Sequence, residues 1–181
     1  LAMLEARRGR GEGAGHLPAP SIVVVPKSLV FNWIDEASRF APQLRVFNYT
    51  GSDRKQRLAS CAGYDLLVTT YGTLRNDILE IRNVRFDYAI LDEATAIKNQ
   101  NAQAAKASRL LNAEHRVALT GTPVENHLGE LWSLFEFLNP GMLGRSTAFA
   151  AMAKRGREVN QETLAVLAKA IRPFLLRRTK G

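Results

Sequence analysis

Two adjacent carboxylates, Asp92 and Glu93, are the residues whose types and spacing most directly suggest chemistry. They directly follow the apolar run 88–91, and a buried parallel strand would deliver both to its carboxyl end, where open α/β sheets place their ligands. One acid could then hold Mg²⁺ while the next orients a water molecule, as nucleotide hydrolysis requires. A strand that runs into an acidic helix start would look the same. The pair alone leaves both interpretations open.

Other strand-end segments carry groups that suit phosphate. Lys27 and Ser28 bring an ammonium group and a hydroxyl to the start of one predicted helix, and the segment 69–73 (TTYGT) brings three threonine hydroxyls and free amides to another. Ordinary helix capping explains each segment separately. In a parallel sheet, however, these two segments, the acidic pair and the segment 120–123 (TGTP) would all lie at one edge. Their joint occurrence favours a shared ligand site.

The apolar periodicity predicts the elements that must position these residues. Short apolar or β-branched runs alternate with segments of helical spacing through the middle of the chain. The predicted strands are 21–25, 44–49, 66–69, 86–91 and 116–119, and the predicted helices between them are 28–40, 53–61, 75–81 and 102–111. Strict alternation predicts an α/β fold with a parallel sheet, right-handed crossovers and helices on both faces.

The two ends of the chain differ from this central pattern. Residues 1–8 have the spacing of a helix end, and residues 9–20 are rich in Gly and Pro, which predicts a loop. After residue 124 only helical patterns follow, over 128–138 and 145–169. We therefore expect three segments, namely 1–20 ahead of the sheet, an α/β lobe over 21–144 and an all-helical extension over 145–181.

Composition narrows the classes of partner. The 181 residues carry a formal net charge of +8, with 25 Lys and Arg against 17 Asp and Glu, which favours a polyanion such as nucleic acid. The single cysteine, Cys61, excludes an internal disulfide. Histidines 16, 115 and 127 are too far apart in the sequence for ligand spacing, which argues against zinc. No apolar run approaches the roughly 18 residues of a membrane span, so we expect no membrane partner.

Taken in order, the motifs identify a family. The chain resembles the first motor lobe of the Swi/Snf family of helicase-like ATPases, in helicase superfamily two. The segments that carry the resemblance are 23–29 (VVVPKSL) with 32–33 (NW), 69–72 (TTYG), 91–94 (LDEA) with 97–99 (IKN), 119–126 (LTGTPVEN), 130–134 (ELWSL), 138–141 (LNPG) and 174–180 (FLLRRTK). The resemblance implies a RecA-like sheet and, for the intact protein, an ATP-driven translocase on double-stranded DNA.

The resemblance also implies roles in nucleotide hydrolysis. Asp92 would bind Mg²⁺, through water because this ion dehydrates reluctantly, and Glu93 would polarise the attacking water. Thr120, Gly121 and Thr122 match the motif that links the ATP site to the DNA groove and to the second lobe. The implied cofactors are therefore ATP and Mg²⁺.

The resemblance also implies contacts to DNA, made by the Lys27–Ser28 segment and by the segment 69–73. Lys27, Ser28, Thr70 and Gly72 match positions with which the family holds the phosphate backbone of one DNA strand. Phosphate contacts carry no base code, so we expect binding that tolerates any sequence and falls with salt.

Parts of the family pattern are different or missing. Thr95 stands where many relatives carry Gln or His, so one polar contact of the phosphate-coupling network is expected to differ. The sequence contains no G-x-x-x-x-G-K-[ST] phosphate-binding loop. In the family that loop precedes the helix into which residues 1–8 would fit, so we expect the chain to begin just after it and to lack the second RecA-like lobe. Such a chain should hydrolyse ATP negligibly by itself, and an open sheet edge would favour self-association.

Two other functions remain open at this point. The chain as given could be a non-catalytic nucleic-acid-binding or scaffold module, since the phosphate-binding loop and second lobe are absent from it. It could also be an unrelated α/β enzyme in which Asp92 and Glu93 do other carboxylate chemistry. The compact spacing between motifs, and the lack of a dense Lys and Arg targeting run, favour a bacterial cytoplasm and its nucleoid over a nucleus.

Overall fold

A computed structural model describes residues 1–13, 19–121, 128–144 and 169–176. Within these ranges the chain forms a five-stranded sheet in the order β2-β3-β1-β4-β5, and all of its strand pairs are parallel. The strands are β1 (Ser21–Val25), β2 (Val46–Asn48), β3 (Leu66–Thr70), β4 (Phe86–Leu91) and β5 (Ala113–Ala118). The predicted parallel α/β sheet is confirmed.

Helices connect the strands and flank the sheet. The α-helices are α1 (Ala2–Gly13), α2 (Val30–Phe40), α3 (Arg54–Arg57), α4 (Tyr71–Ile81), α5 (Gln103–Arg109) and α6 (Leu128–Leu138). Short 3₁₀ turns cover Lys27–Leu29, Leu58–Gly63, Ala94–Ile97 and Arg172–Phe174. None of the helices in the described ranges has the length and apolar content needed to cross a membrane.

Side chains that alternate along the strands pack into two separate hydrophobic cores, one on each face of the sheet. Ile22 and Val24 of β1 belong to a core that also contains Leu74 of α4 and Leu134 of α6. A second core takes Val23 and Val25 of the same strand together with Leu4 of α1 and Val30 of α2. Because β1 is covered on both faces, all of its residues are buried, as expected for a central parallel strand. The prediction of helices on both faces is therefore confirmed.

The register of the sheet brings the functional segments to one edge. Val25 of β1 pairs with Thr70 of β3, Val24 pairs with Leu91 of β4, and Leu91 pairs with Ala118 of β5. The residues that follow these four strands therefore leave the sheet side by side. This is the shared edge predicted from the strand ends.

Several boundaries differ from the predictions: β2 covers only Val46–Asn48 of the expected 44–49, the helix expected over 53–61 is α3 followed by a 3₁₀ turn, and the largest shifts are in α1, α4 and β5. The loop expected over 9–20 is wrong for residues 9–13, because α1 continues to Gly13. Leu4 anchors this helix in the second core and Arg7 pairs with Asp87 of β4, so glycines that each cost about 1 kcal/mol do not end it. Helix α4 begins at Tyr71 rather than residue 75, because Thr70 caps it.

Strand β5 begins at Ala113 rather than residue 116. Its first residues include exposed Glu114 and His115, and polar side chains are common on a strand at the edge of a sheet, the position of β5 among the described strands. The alternating apolar pattern was therefore missing from that part of the strand. Most of the predicted helices over 145–169, and residues 177–180 of the last family segment, lie outside the described residues.

Candidate functional site

Asp92 lies immediately beyond β4 and its carboxylate is held in place from two sides. Its backbone N–H donates to the carbonyl oxygen of Val24 at 2.9 Å, which continues the sheet ladder by one residue. The Trp33 indole N–H donates to Oδ2 at 2.7 Å, and the backbone N–H of Glu93 donates to Oδ1 at 2.9 Å. Asp92 is half-buried, and each carboxylate oxygen keeps lone-pair capacity for a further ligand.

The Asp92 carboxylate fits a hydrated Mg²⁺ ion by its chemistry. Mg²⁺ prefers oxygen ligands and keeps several of its waters, so one oriented carboxylate beside a nucleotide is a common arrangement. The two observed hydrogen bonds fix the carboxylate plane without neutralising its charge. The donor set in this structure is therefore compatible with the metal role expected for Asp92.

Glu93 adopts an unusual backbone conformation. Among the described residues it alone of the non-glycine residues has a positive φ, with φ 48° and ψ 55° in the left-handed region. This conformation costs an L-residue other than glycine roughly 1–2 kcal/mol. It turns the chain sharply from β4 into the 3₁₀ turn Ala94–Ile97. Strain of this kind is characteristic of functional sites, where the surrounding structure holds it.

Hydrogen bonds to the end of β5 hold this strained turn. The backbone N–H of Ala94 donates to the carbonyl oxygen of Leu119 at 2.9 Å, and the N–H of Leu119 donates to Leu91 at 2.8 Å. The side chain of Glu93 then lies near Gly121, where a Cβ atom would be 4.0 Å from Glu93 Oε1. The structure thus brings Glu93 to the segment containing Thr120 and Gly121. Both of these residues are exposed, and Thr122 lies outside the described residues.

Tyr71 contacts the acidic pair from the neighbouring segment. Its hydroxyl donates to the backbone carbonyl oxygen of Asp92 at 2.8 Å. Burial raises the pKa of the Tyr71 hydroxyl, and the negative charges of Asp92 and Glu93 raise this pKa further. The hydroxyl is therefore a permanent donor at physiological pH and keeps the peptide that joins the two acids in a fixed orientation.

Thr70 and Gly72 lie at the start of α4. The Thr70 side-chain oxygen accepts a hydrogen bond from the backbone N–H of Thr73 at 3.1 Å, and its hydroxyl donates to Thr73 Oγ1 at 3.0 Å. The capping interpretation of this segment is therefore confirmed. Gly72 is exposed in the first helical turn, where backbone amides have no intrahelical partner. Capping by Thr70 and phosphate binding by the free amides are compatible uses of one helix start.

Lys27 and Ser28 form the 3₁₀ turn that leads into α2, and both are exposed. Neither side chain makes a hydrogen bond or ion pair within the described part of the chain. Their turn follows β1, which pairs with β3 and β4, so it leaves the sheet between the Thr70 segment and the acidic pair. The structure therefore brings together three of the predicted site segments and places part of the fourth, Thr120 and Gly121, next to Glu93.

Two residues in contact with Asp92 were not predicted to belong to the site. Trp33 and Tyr71 both lie within segments of the family resemblance, but no role followed from their types alone. The sequence offers only a general indication that these two residues matter, namely that a buried tryptophan or tyrosine usually finds a partner for its N–H or O–H. Since Trp33 is 59 residues from Asp92 in the sequence, that partner could be identified only from the fold.

Solved structures define the class of fold. The chain superposes on the Sulfolobus solfataricus SWI2/SNF2 ATPase core in complex with dsDNA with a TM-score of 0.86 and 36% identity, covering 98% of this chain and 36% of that one. The five-stranded parallel sheet is therefore the RecA-like fold of a SWI2/SNF2 ATPase core.

Sequence comparison gives the family. A model of the SNF2-related domain matches residues 2–181. The human TATA-binding protein-associated factor 172 is 38% identical over 188 residues, covering 94% of this chain and 10% of that protein. The "Uncharacterized ATP-dependent helicase MG018" of Mycoplasma genitalium is 39% identical over 164 residues, covering 90% of this chain and 16% of that protein. The chain belongs to the SNF2-related domain family and spans a small part of the length of these relatives.

Proposed function

We propose that this chain is part of the first motor lobe of an ATP-driven translocase on double-stranded DNA. The observation that carries the proposal is the convergence of the Asp92–Glu93 pair with the Lys27–Ser28 and Thr70–Gly72 segments at one sheet edge. Membership of a family of ATPases and the likeness to a core bound to dsDNA support it. A second RecA-like lobe would complete the motor.

The proposed nucleotide chemistry uses the two acids differently. Asp92 would hold hydrated Mg²⁺, which supplies charge neutralisation at the nucleotide phosphates when bound. Glu93 would accept a hydrogen bond from the attacking water and align it with the phosphoryl group. The strained turn at Glu93 serves this role, because it fixes the carboxylate near Gly121 without further rearrangement. Thr120, Gly121 and Thr122 would complete the site from the end of β5.

Hydrolysis by the complete motor protein, with and without duplex DNA, tests this assignment. We expect Glu93→Gln to lower the DNA-stimulated rate of phosphate release by about 10²–10⁴-fold, the usual contribution of a positioned base. Glu36→Gln is the matched control, because Glu36 is exposed on α2 and a glutamine can still accept the 3.3 Å hydrogen bond from Asn32. Retention of the wild-type rate in Glu93→Gln would remove Glu93 from this role.

The proposed DNA contacts depend on charge and free amides. The phosphates of one strand of the duplex would be contacted by Lys27, Ser28, Thr70 and Gly72. Fluorescence anisotropy with a labelled duplex across a salt series measures this contact. We expect Lys27→Ala to reduce the slope of log affinity against log salt by about 0.9, the value for one phosphate contact. Lys106→Ala, an exposed lysine on α5, should leave the slope unchanged. A salt-independent affinity would contradict the proposal.

The alternative of a non-catalytic nucleic-acid-binding module is favoured by one observation, the absence of a G-x-x-x-x-G-K-[ST] motif from this sequence. Calorimetric titration of the 181-residue chain with Mg²⁺ and ATP distinguishes the two. On the motor proposal, the chain alone binds ATP weakly, and a chain extended upstream by the phosphate-binding loop binds it well. Equal and negligible affinity in both would favour the binding module.

We also propose self-association through the edge of the sheet, and a bacterial cytoplasmic setting. Within the described residues β5 pairs with β4 alone, and a groove of about 590 Å³ lies beside it, lined by residues that include Val117, Leu134 and Leu175. Backbone groups on an open edge can pair with a second copy. A sedimentation coefficient that rises with the concentration of the chain is expected, and a constant monomer value would contradict this proposal.

A further inference from the structure

Two aromatic side chains connect the proposed DNA-binding segments with Asp92. Trp33 donates its indole N–H to the Asp92 carboxylate at 2.7 Å, and Tyr71 donates its hydroxyl to the Asp92 carbonyl at 2.8 Å. Trp33 lies on α2, which continues directly from the turn containing Lys27 and Ser28. Tyr71 follows Thr70 directly and is the first residue of α4. Each donor therefore belongs to the same short segment as a pair of proposed phosphate contacts.

Packing makes both connections rigid. Trp33 is half-buried against the core that contains Val30 and Leu4, and Tyr71 is half-buried against the opposite core that contains Leu74. Side chains held in such close-packed surroundings move with their backbone rather than independently of it. A small shift of either segment would therefore change the position of its donor at Asp92. The two rings pack on opposite faces of the sheet, and one donates to the Asp92 carboxylate while the other donates to its backbone carbonyl oxygen.

We propose that Trp33 and Tyr71 are positioning residues that couple binding of the duplex backbone to the orientation of Asp92. This inference rests on the proposed function, since it needs DNA at the Lys27 and Thr70 segments and a metal-nucleotide at Asp92. Coupling between two binding sites is reciprocal. DNA binding then favours the Asp92 geometry that suits the metal-nucleotide, and occupancy of that site strengthens DNA binding by the same factor.

The first test uses Trp33 itself as a reporter in the 181-residue chain. The sequence has two tryptophans, so Trp132→Phe leaves Trp33 as the single source of indole emission. A short duplex oligonucleotide without nucleotide or metal should shift this emission, since the hydrogen bond to Asp92 changes. The same titration in a chain that also carries Asp92→Asn should show a much smaller shift, because an amide is a weaker acceptor than a carboxylate.

The outcomes of this titration are distinct. Absence of duplex binding by anisotropy would remove the proposed DNA contacts themselves. Binding with unchanged emission would overturn the coupling inference alone. An emission shift of equal size with and without the Asp92→Asn substitution would also overturn it, because the shift would then report DNA near the indole rather than the bond to Asp92.

The second test measures the ratio of DNA-stimulated to basal ATP hydrolysis in the complete motor protein. Trp33→Phe and Tyr71→Phe keep the aromatic rings in the two cores and remove one donor each. We expect each variant to lower the ratio about tenfold, within the range typical of coupling between sites. Trp132→Phe and Tyr88→Phe are matched controls, since the Trp132 indole donates to Gly144 instead and the Tyr88 ring contacts His115 in a tilted arrangement.

These variants also separate the inference from the proposed function. A wild-type motor that DNA does not stimulate would refute the proposed function. A stimulated wild type with wild-type ratios in both variants would refute the coupling and leave the function intact. The affinity for duplex, measured with and without Mg²⁺ and a non-hydrolysable ATP analogue, gives a readout independent of turnover. Its enhancement should be reduced in both variants, whereas an enhancement equal to that of the wild type would contradict the inference.

Discussion

The left-handed backbone at Glu93 leads to a prediction about the relative stability of two variants that both lack the proposed catalytic carboxylate. Glu93→Gly removes the steric cost of φ 48°, and Glu93→Ala removes the side chain but keeps that cost. The strain is worth roughly 1–2 kcal/mol. A glycine also lowers the free energy of unfolding by roughly 0.4–1 kcal/mol, because the unfolded chain gains conformational freedom. We therefore expect the Glu93→Gly variant to be more stable than the Glu93→Ala variant by about 0.8 kcal/mol, although both lack the carboxylate proposed for hydrolysis.

Urea unfolding of the 181-residue chain, followed by circular dichroism, measures this difference. With a slope of about 2 kcal/mol/M, 0.8 kcal/mol corresponds to a shift in midpoint of about 0.4 M between the two variants. Thr95→Gly and Thr95→Ala provide the control, because Thr95 lies two residues on in the 3₁₀ turn and has no positive φ. There the order should reverse, with alanine the more stable. If the Glu93→Gly and Glu93→Ala chains had equal midpoints, or if alanine were favoured at both positions, the backbone at Glu93 would not be strained.

Three further predictions concern stability. Asp77 is 1% exposed and pairs with Arg54 and Lys55 at 2.5 and 3.2 Å. Asp77→Asn should therefore lower the free energy of unfolding by about 3 kcal/mol at neutral pH. Asp53→Asn is the control and should lower it by under about 0.5 kcal/mol, because Asp53 belongs to an exposed pair. Burial alone would raise the pKa of Asp77, but Arg54 and Lys55 lower it below its ordinary value. Its stabilisation is therefore present above the unfolded pKa near 3.9 and is lost as pH falls through the lower folded value, so thermal unfolding of wild type and Asp77→Asn should converge in acid. A difference that stays constant with pH would contradict this. Thr70→Ala should lower the free energy of unfolding by about 1 kcal/mol, because the cap of α4 is lost, and Thr70→Ser should lower it much less. Equal losses of the two variants in urea unfolding would show that the cap is unimportant.

The local sequence pattern correctly predicted that a strand ends just before the acidic pair and that several strand ends meet at one edge of the sheet. The apolar run before Asp92 is long enough for a buried strand, and the observed β4 has the predicted bounds of Phe86 and Leu91. Parallel pairing then requires the strand ends to meet at one edge, so the proximity of the Lys27 and Thr70 segments to the acidic pair followed from topology. Each of these inferences depends on residues close together in the sequence.

The details that depend on distant residues could not be predicted. The partner of Trp33 is 59 residues away, and the partner of Tyr71 is 21 residues away. The conformation of Glu93 depends on hydrogen bonds from Ala94 and Leu119 across two strands, and no residue type in that turn signals it. Likewise, α1 continues through its glycines because of tertiary contacts that propensity does not include.

The central position of β1 has a consequence for how the protein is made. Ser21 pairs with Leu66 of β3 and Ile22 pairs with Ala89 of β4, so both neighbours of β1 are encoded well downstream. At a synthesis rate of about 5–20 residues per second, the ribosome needs roughly 2–9 s to reach the first partner and roughly 3–13 s to reach the second. During that interval the uncharged segment Ser21–Val25 has free edges on both sides. The nascent chain therefore passes through a period in which its unpaired strand is vulnerable to aggregation and in which chaperones would protect it.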